Sequence, residues 1–358
     1  MIRRPGLRPL RRGWVAVIVL ALLAGVVGVV AWRLVRDDDG TRLTQALQHA
    51  PESSVRFSWT DWAAVRDELG ADVSAASTGD EVDDFMNAAY DRDLTSGTAL
   101  GESAPTIQTE LGFSPATLDW ELFAQGPDGA VVVMGLAEDT DLEAIRDRLR
   151  AAGFEEPDEA DGAWRGGGNV LERLSGPVTP ELGALQIDED AGILYGSDDG
   201  AFLLERADVE RGEQDDDVVR AAAALGPVLA GSVFTGEHVC SELSMSQADP
   251  AERTRAAELV TQAGEVHPLT GFAIAAQPGG NVRVAFVLDS EDQARTDADT
   301  RSRLAAGPAP GQGGTFPERF TLGKVAAQDR VVTMQLSPVD DWLVLSDLNS
   351  GPVLFATC

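Results

Sequence analysis

The chain has 358 residues, of which 28 are Lys or Arg and 59 are Asp or Glu, giving a formal net charge of −31. A surface this acidic repels phosphate backbones, which excludes nucleic acid as a partner. Hydrophobic residues make up 44% of the chain, enough for a packed core, so the acidic composition does not indicate a disordered protein.

An apolar segment near the N-terminus is the first predicted element. Residues 14–32 contain no charged side chain, and a helix of this length, at about 1.5 Å per residue, matches the hydrocarbon thickness of a bilayer. Five Arg precede the segment and two follow it, so the positive-inside rule places the N-terminus in the cytoplasm. The sequence therefore predicts a single-pass protein of the cell membrane that binds the lipid bilayer through this helix. Its C-terminal domain is predicted to be extracytoplasmic.

A cleaved signal peptide is the alternative interpretation of this segment. Residues 29–31 form a small-residue cleavage motif. The apolar run is longer than the 7–15 residues, roughly, of a signal-peptide core, which favours an uncleaved anchor.

Two later segments share an order of elements and predict an internal duplication. Matching positions recur at Gly112 and Gly264, and at Gln125 and Gln277, in both cases 152 residues apart. In each segment a turn rich in Gly leads into a second apolar strand, which is the signal of a β-hairpin. Capping-box motifs at 140–143 and 290–293 predict a helix after each hairpin.

Shorter matches extend the comparison toward the end of both segments. They pair residues 167–174 with 313–320, 185–187 with 334–336, 193–195 with 343–345, and 201–204 with 353–355. We interpret the last three pairs as strands. Chance recurrence of strand–turn–strand units in a single α+β chain is the alternative.

The predicted fold class is α+β, in which an N-terminal transmembrane helix precedes two tandem, related α+β repeats with antiparallel or mixed sheets covered by helices. Each repeat consists of a strand, a helical segment, a β-hairpin, a helix and further strands. The predicted domains are a cytoplasmic basic tail (1–13), the transmembrane anchor (14–36), a membrane-proximal linker or helix (37–51), a first repeat (52–211), a connector (212–231) and a second repeat (232–358).

The two cysteines, Cys240 and Cys358, predict a disulfide bond, since an extracytoplasmic domain folds in an oxidising environment. We expect each cysteine to end a strand of the second repeat. The bond would close a loop that contributes about 4–5 kcal/mol of stability in the chain-entropy model, and it would fasten the C-terminal residue. Two unrelated buried thiols are the alternative.

Motifs for catalysis and metal binding are absent from the sequence. It contains no Gly-x-Ser-x-Gly, Ser-x-x-Lys, His-Glu-x-x-His or Walker A motif. Acidic clusters at 80–84, 155–159 and 215–217 could bind Ca²⁺, but solvated loops and helix N-termini explain them better. We therefore expect no metal and no cofactor. A carboxylate pair of the kind used in glycoside hydrolysis stays open, because so many acidic residues always allow pairs.

An Asp-Trp step recurs at the boundaries of three predicted elements. The three aromatic residues are Trp62, Trp120 and Trp342. A tryptophan beside a carboxylate can line a carbohydrate or peptide groove, so these residues are candidate contacts for a ligand or partner. The alternative is structural, with Asp capping a turn and Trp packing beneath it.

Three strings, at residues 240–249, 310–319 and 346–358, resemble a group of uncharacterised actinobacterial single-pass, membrane-anchored proteins. The resemblance covers most of the extracytoplasmic part and implies an envelope protein, without implying catalytic residues. The predicted function is a non-catalytic module of the cell envelope that binds an envelope protein or a small ligand. An envelope hydrolase with an unrecognised carboxylate site and a purely structural or assembly protein are the alternatives.

Overall fold

The structure is a computed structural model that describes residues 40–208 and 214–358. The predicted cytoplasmic tail (1–13) and transmembrane anchor (14–36) lie outside the described residues. Within the two described ranges, no helix combines the length and the apolarity that crossing a membrane requires.

Eleven strands form one sheet in which every pair of neighbours is antiparallel. The order across the sheet is β10-β11-β9-β8-β7-β1-β2-β3-β6-β5-β4. In chain order the strands are β1 (Arg56–Thr60), β2 (Leu118–Gly126), β3 (Gly129–Leu136), β4 (Ala163–Arg165), β5 (Ala184–Asp188), β6 (Ile193–Ser197), β7 (Ala230–Thr235), β8 (Gly271–Ala276), β9 (Val282–Val287), β10 (Phe320–Gln328) and β11 (Val331–Pro338).

Helices cover the two faces of the sheet unequally. One face, here called the helical face, packs against α2 to α6 and α9 to α12, while the opposite face packs against α1, α7 and α8. The bounds are α1 (Arg42–Ala46), α2 (Trp62–Leu69), α3 (Gly79–Tyr90), α4 (Ala104–Glu110), α5 (Leu142–Ala152), α6 (Gly167–Leu171), α7 (Gly200–Asp208), α8 (Asp216–Leu225), α9 (Gly236–His238), α10 (Pro250–Ala263), α11 (Glu291–Ala305) and α12 (Val344–Asn349).

The predicted fold class, with a separate sheet in each of two repeats, is wrong. The first strands of the two halves pair with each other, from Arg56 opposite Phe234 to Thr60 opposite Ala230, and so merge the strands into one sheet. An unpaired first strand in each half would expose backbone groups at a sheet edge, and the β1–β7 pairing removes both edges. The transmembrane helix included in that fold class has no counterpart among the described residues.

The two halves have matching strand orders on either side of the β1–β7 pair. Outward from this pair, β1-β2-β3-β6-β5 runs to one side and β7-β8-β9-β11-β10 to the other. The β2–β3 turn has two residues between the paired Gly126 and Gly129, whereas three residues separate Gln277 from its partner Asn281. The longer turn adds one residue to the second half, so the sequence offset between matching positions is one larger after the turn than before it. This difference matters because a slip of one residue turns a side chain to the other face of the sheet. Gln277 therefore corresponds to Gly126 and not to Gln125.

The later sequence matches do not fall on corresponding elements. Residues 185–187 lie on β5 but 334–336 lie on β11, which has the place of β6. Residues 193–195 lie on β6, whereas 343–345 lead into α12. The strands predicted at 201–204 and 353–355 are helical in α7 and in a 3₁₀ turn, respectively. The predictions were wrong here because a short apolar string does not distinguish a strand from a buried helical turn.

The predicted disulfide bond is confirmed, although its setting differs from the prediction. Cys240 lies in a π-helical turn (Val239–Leu243) instead of ending a strand, and its Cα atom is 5.6 Å from that of Cys358. A buried ion pair lies nearby, in which Arg301 Nε donates to Asp297 at 2.8 Å. The Arg301 guanidinium also donates to the carbonyl oxygens of Phe355 and Thr357. The C-terminal segment is thus fastened by both a covalent and a polar contact.

Loss of this disulfide bond should lower stability substantially. A Cys240→Ser/Cys358→Ser double variant is expected to lose up to about 5 kcal/mol of unfolding free energy, because the unfolded chain regains the entropy of an open loop of this length. Urea denaturation of wild type and variant, each with and without reductant, measures the difference.

Reductant should shift the wild-type midpoint to that of the double variant and should leave the variant unchanged. Equal midpoints for oxidised wild type and the double variant would contradict a stabilising role for the bond.

Candidate functional site: a cleft beside Glu121

The three candidate tryptophans do not come together in the fold. Trp62 is fully buried on the helical face, whereas Trp120 lies on the opposite face and stacks on Trp59 with ring centroids 5.6 Å apart. Trp342 is 43% exposed, with the Arg319 guanidinium 5.2 Å from its ring centroid. A single groove lined by all three residues is therefore not formed.

A cavity on the helical face has a volume of about 630 Å³ and is here called the cleft. Its walls are α3, the loop from residue 95 to the start of α4, and the segment 177–180. Its lining contains five hydroxyl side chains, two carboxylates, one amide and several apolar groups: Asp83, Met86, Asn87, Tyr90, Thr95, Thr98, Ala99, Gly101, Glu102, Ser103, Pro177, Val178, Thr179 and Pro180.

The first wall follows from the amphipathic pattern of α3. A complete capping box starts this helix, with the Thr78 side chain bonded to the backbone of Glu81 and the Glu81 side chain to the backbone of Thr78. Val82 and Phe85 pack into the core, so positions 83, 87 and 90 turn toward the cleft. Tyr90, at the end of α3, is 57% exposed and provides an aromatic surface at the cleft margin.

The wall formed by residues 177–180 is held to α4 by polar contacts. The backbone N–H of Thr179 donates to the buried Ser103 Oγ at 2.8 Å. Just before this wall, the N–H of Ser175 donates to Glu110 at 2.7 Å. Pro177 and Pro180 restrict the backbone in between, because proline fixes φ. The wall is thereby held in place although it has no regular secondary structure of its own before residue 180.

A buried carboxyl group supports the remaining wall, which is the loop from residue 95 to the start of α4. Glu121 on β2 is fully buried and accepts hydrogen bonds from Trp62 Nε1 at 3.0 Å, Thr98 Oγ1 at 2.7 Å and the Ala99 N–H at 2.6 Å. Thr98 and Ala99 also line the cleft, so these bonds connect the cleft wall directly to the sheet. The carboxyl group therefore determines where this loop lies.

Burial raises the pKa of Glu121 to about 7, and the donated hydrogen bonds only partly oppose this effect. Desolvation disfavours the charged carboxylate, while its hydrogen-bond donors favour it. The group thus changes protonation near neutral pH even though no solvent reaches it.

Gly97 explains how closely the same loop approaches the sheet. A Cβ atom at this position would lie 2.7 Å from the carbonyl oxygen of Trp59, nearer than such atoms can approach, and would be crowded by the Gly231 carbonyl oxygen at 3.1 Å. Only glycine allows the backbone to lie this close to β1 and β7. The loop therefore rests on the strand pair that joins the two halves.

Sequence reasoning missed Glu121 as a functional residue. The signal was an acidic residue between Trp120 and Leu122 in a strand whose alternation places position 121 on a buried face. The Asp-Trp step indicated the neighbouring Trp120 as the candidate residue instead. Of the three tryptophans, Trp62 comes nearest to the cleft, through its bond to Glu121.

The three histidines contact neighbouring side chains, and two of the acidic clusters lie at the start of helices. His49 bonds to Tyr195 Oη at 3.1 Å, His238 stacks on Phe234, and His267 Nδ1 lies 2.5 Å from Asp297. The cluster at 80–84 begins α3, and that at 215–217 begins α8. In the part of the chain that the structure describes, no group of three or more His, Cys, Asp and Glu side chains could hold a metal ion.

No protein-family model matches the chain, and no curated protein matches it. Among solved structures, crystal forms I and III of TP0453 are similar at 8% sequence identity and a TM-score of 0.40. The match covers 86% of this chain and 97% of form I, and 85% of this chain and 98% of form III. Such a distant similarity carries no information about activity or partners.

Replacement of Glu121 should change how stability depends on pH. A carboxyl group with a pKa of 4.5 when unfolded and about 7 when folded stabilises the protein below pH 4.5, and this contribution is lost as the pH rises through 7. Glu121→Gln should be less stable than wild type, since its amide N–H₂ faces hydrogen-bond donors. The difference in unfolding free energy between the two proteins should shrink by about 3 kcal/mol from pH 4.5 to pH 8.

Denaturant unfolding at several pH values measures this difference. Glu102→Gln, which removes an exposed carboxylate from the same cleft, is the matched control. A difference between wild type and Glu121→Gln that is constant with pH, or that grows as the pH rises, would exclude the raised pKa.

Proposed function

We propose that this protein is a non-catalytic binding module of the cell envelope that takes a small ligand in the cleft. The single observation that carries the proposal is a cavity of about 630 Å³ whose loop wall is fixed by a fully buried carboxyl group. Binding sites are typically preformed concavities with a few fixed polar groups. The hydrogen bonds that Thr98 Oγ1 and the Ala99 N–H donate to Glu121 supply this preorganisation.

The lining indicates the chemistry of the ligand. Asp83 and Glu102 are the charged side chains of the cleft, so it disfavours anions and accepts neutral or cationic groups. Thr95 offers a hydroxyl group that both donates and accepts hydrogen bonds. The hydroxyl groups of Thr98 and Thr179 already donate to Glu121 and Glu181, so they can only accept from a ligand. With the exposed ring of Tyr90, these groups suit a neutral saccharide or a short peptide with a free amino group.

A hydrolase that uses Glu121 as its acid is the second candidate, because a pKa of about 7 suits a general acid at neutral pH. A general acid must lie within hydrogen-bond reach of its substrate, however. Glu121 is fully buried, and both of its oxygens accept bonds from protein donors. This geometry supports a positioning role for Glu121 and favours binding over catalysis.

Filling the cleft should weaken ligand binding. Val178→Trp places a bulky ring in the cavity and is expected to weaken binding at least tenfold, because the ligand loses its space. The measurement is a ¹H–¹⁵N NMR titration with chitotriose and with the tripeptide Lys-Ala-Ala. The indole N–H signal of Trp62 serves as a reporter, since its bond to Glu121 connects it to the cleft wall.

Ala191→Trp is the matched control, because Ala191 is exposed in the turn between β5 and β6 and does not line the cleft. It should leave both titrations unchanged. If neither probe shifts the Trp62 signal in wild type, the saccharide-or-peptide assignment fails. Hydrolysis of either probe that is lost in Glu121→Gln would instead support the hydrolase.

For localisation, we propose that the transmembrane anchor predicted at residues 14–36 holds the protein at the cell membrane with the cleft on the outer side. The support is the sequence itself, with seven Arg and no acidic residue in residues 1–36. The resemblance to actinobacterial membrane-anchored proteins agrees with this orientation. An extracytoplasmic position would also explain the disulfide bond, which forms in oxidising compartments.

Reporter fusions test this orientation in intact cells. Alkaline phosphatase, which is active only outside the cytoplasm, should be active when fused after Cys358 and inactive when fused before residue 1. Removal of residues 14–36 should release the fusion protein from the membrane fraction. Activity of the N-terminal fusion, or membrane retention of the shortened protein, would contradict the proposed topology.

A further inference from the structure

A second concave surface lies on the opposite face of the sheet, in the second half, and is here called the basic groove. It has a volume of about 460 Å³, with α8 as its wall and β9, β10 and β11 as its floor. Arg283 and Lys324 both line it, and Lys324 is the only lysine in the chain. Such a pair is unexpected in a protein with a net charge of −31.

The strand register places a row of polar side chains across the floor. Arg283 on β9 is directly opposite Gln335 on β11. On the other side of Gln335, a bulge between Leu322 and Val325 places two residues of β10, Gly323 and Lys324, opposite Gln335 alone. Neighbouring strands lie about 4.8 Å apart, so the two cationic residues stand roughly 10 Å apart on either side of Gln335. Bulges of this kind often redirect a side chain at a functional surface.

The first half offers an internal comparison for this surface. Val131, two residues after the β2–β3 turn, has the place that Arg283 has after the longer turn of the second half. Val131 and Ala184 are buried, and together with Leu203 of α7 they belong to one hydrophobic cluster. In the second half, the chain after β11 runs to α12 on the helical face. The surface that α7 covers in one half is thus open in the other, where cations replace apolar side chains.

Within residues 40–208 and 214–358, neither Arg283 nor Lys324 forms a salt bridge, because every ion pair there uses other side chains. Asp329 is the one carboxylate in the lining, and it lies in the β10–β11 turn, about 16 Å along the strand from Lys324. Repulsion between two uncompensated cations in one groove is relieved when an anion binds between them.

We propose that the basic groove binds a phosphate-type oxyanion, with Arg283 and Lys324 supplying the charge and the Gln335 amide a further donor. Gln335 Nε2 already donates to Gln277 at 3.0 Å, which leaves its second N–H for the ligand. Arginine binds an oxyanion through a planar fork and lysine through a point charge, so the pair is suited to tetrahedral phosphate. This site is independent of the cleft, which lies on the helical face and is acidic.

The single lysine allows a direct test on the full chain in uncharged detergent micelles. An amine-acylating reagent modifies Lys324 and the α-amino group, and mass spectrometry follows each site separately. Inorganic phosphate at millimolar concentration should slow acylation of Lys324 at least threefold, while the α-amino group reacts at an unchanged rate. Arg283→Gln should remove this protection, and Arg283→Lys should keep part of it and so control for folding.

Arg255→Gln, which removes an exposed arginine of α10 from outside the groove, is the matched charge control and should retain full protection. Nanodiscs of phosphatidylcholine with and without phosphatidic acid distinguish the source of the phosphate group. Protection by the phosphatidic acid discs points to a lipid headgroup, and protection by free phosphate alone points to a soluble ligand. Equal acylation of Lys324 under all conditions, or undiminished protection in Arg283→Gln, would overturn the proposal.

Discussion

The antiparallel pairing of β1 with β7 is the constraint on which the rest of the molecule depends. Five residue pairs, centred on Ser58 and Ser232, join the two halves into one sheet, so neither half has a free inner edge. The same pairing defines two common faces, with a continuous hydrophobic core on each. The lining and exposure of each surface described above depend on the face of the sheet on which it lies and on the helices that cover that face in each half.

Polar contacts between the helical layers reinforce this joint. Asp93 follows the end of α3 by three residues. It accepts hydrogen bonds from the N–H groups of Leu345 and Ser346 at the start of α12, in the other half. Burial raises the pKa of Asp93, while these bonds and that from the Ser346 hydroxyl oppose the shift. Close by, Gly97 rests on β1 and β7. The loop that carries both residues continues to Thr98 in the cleft, so the joint between the halves and the proposed binding site share one segment.

The sequence predicted local features better than long-range ones. Hairpins at 118–136 and 271–287 follow from turn residues between apolar strands, and Ser290 caps α11 as its motif predicts. The first predicted capping box is displaced by one residue, because Asp141 and not Thr140 caps α5. The disulfide bond followed from the presence of two cysteines in a domain that the sequence predicts to be extracytoplasmic. The β1–β7 pairing and the Glu121 bonds connect residues far apart in sequence, and no local pattern in a single sequence records them.

The two proposed sites differ because the halves share one strand order but cover the faces of the sheet with different helices. In the first half, α7 covers the opposite face and the helical face carries the cleft, which has carboxylates in its lining. In the second half, the chain after β11 goes to the helical face instead, and the opposite face opens into a groove with two cations. A sheet separates the two surfaces, and their charges are opposite, so one ligand would not satisfy both. The different course of the chain after the shared strands thus gives each half a surface that the other lacks, while the β1–β7 pairing keeps both halves in a single sheet.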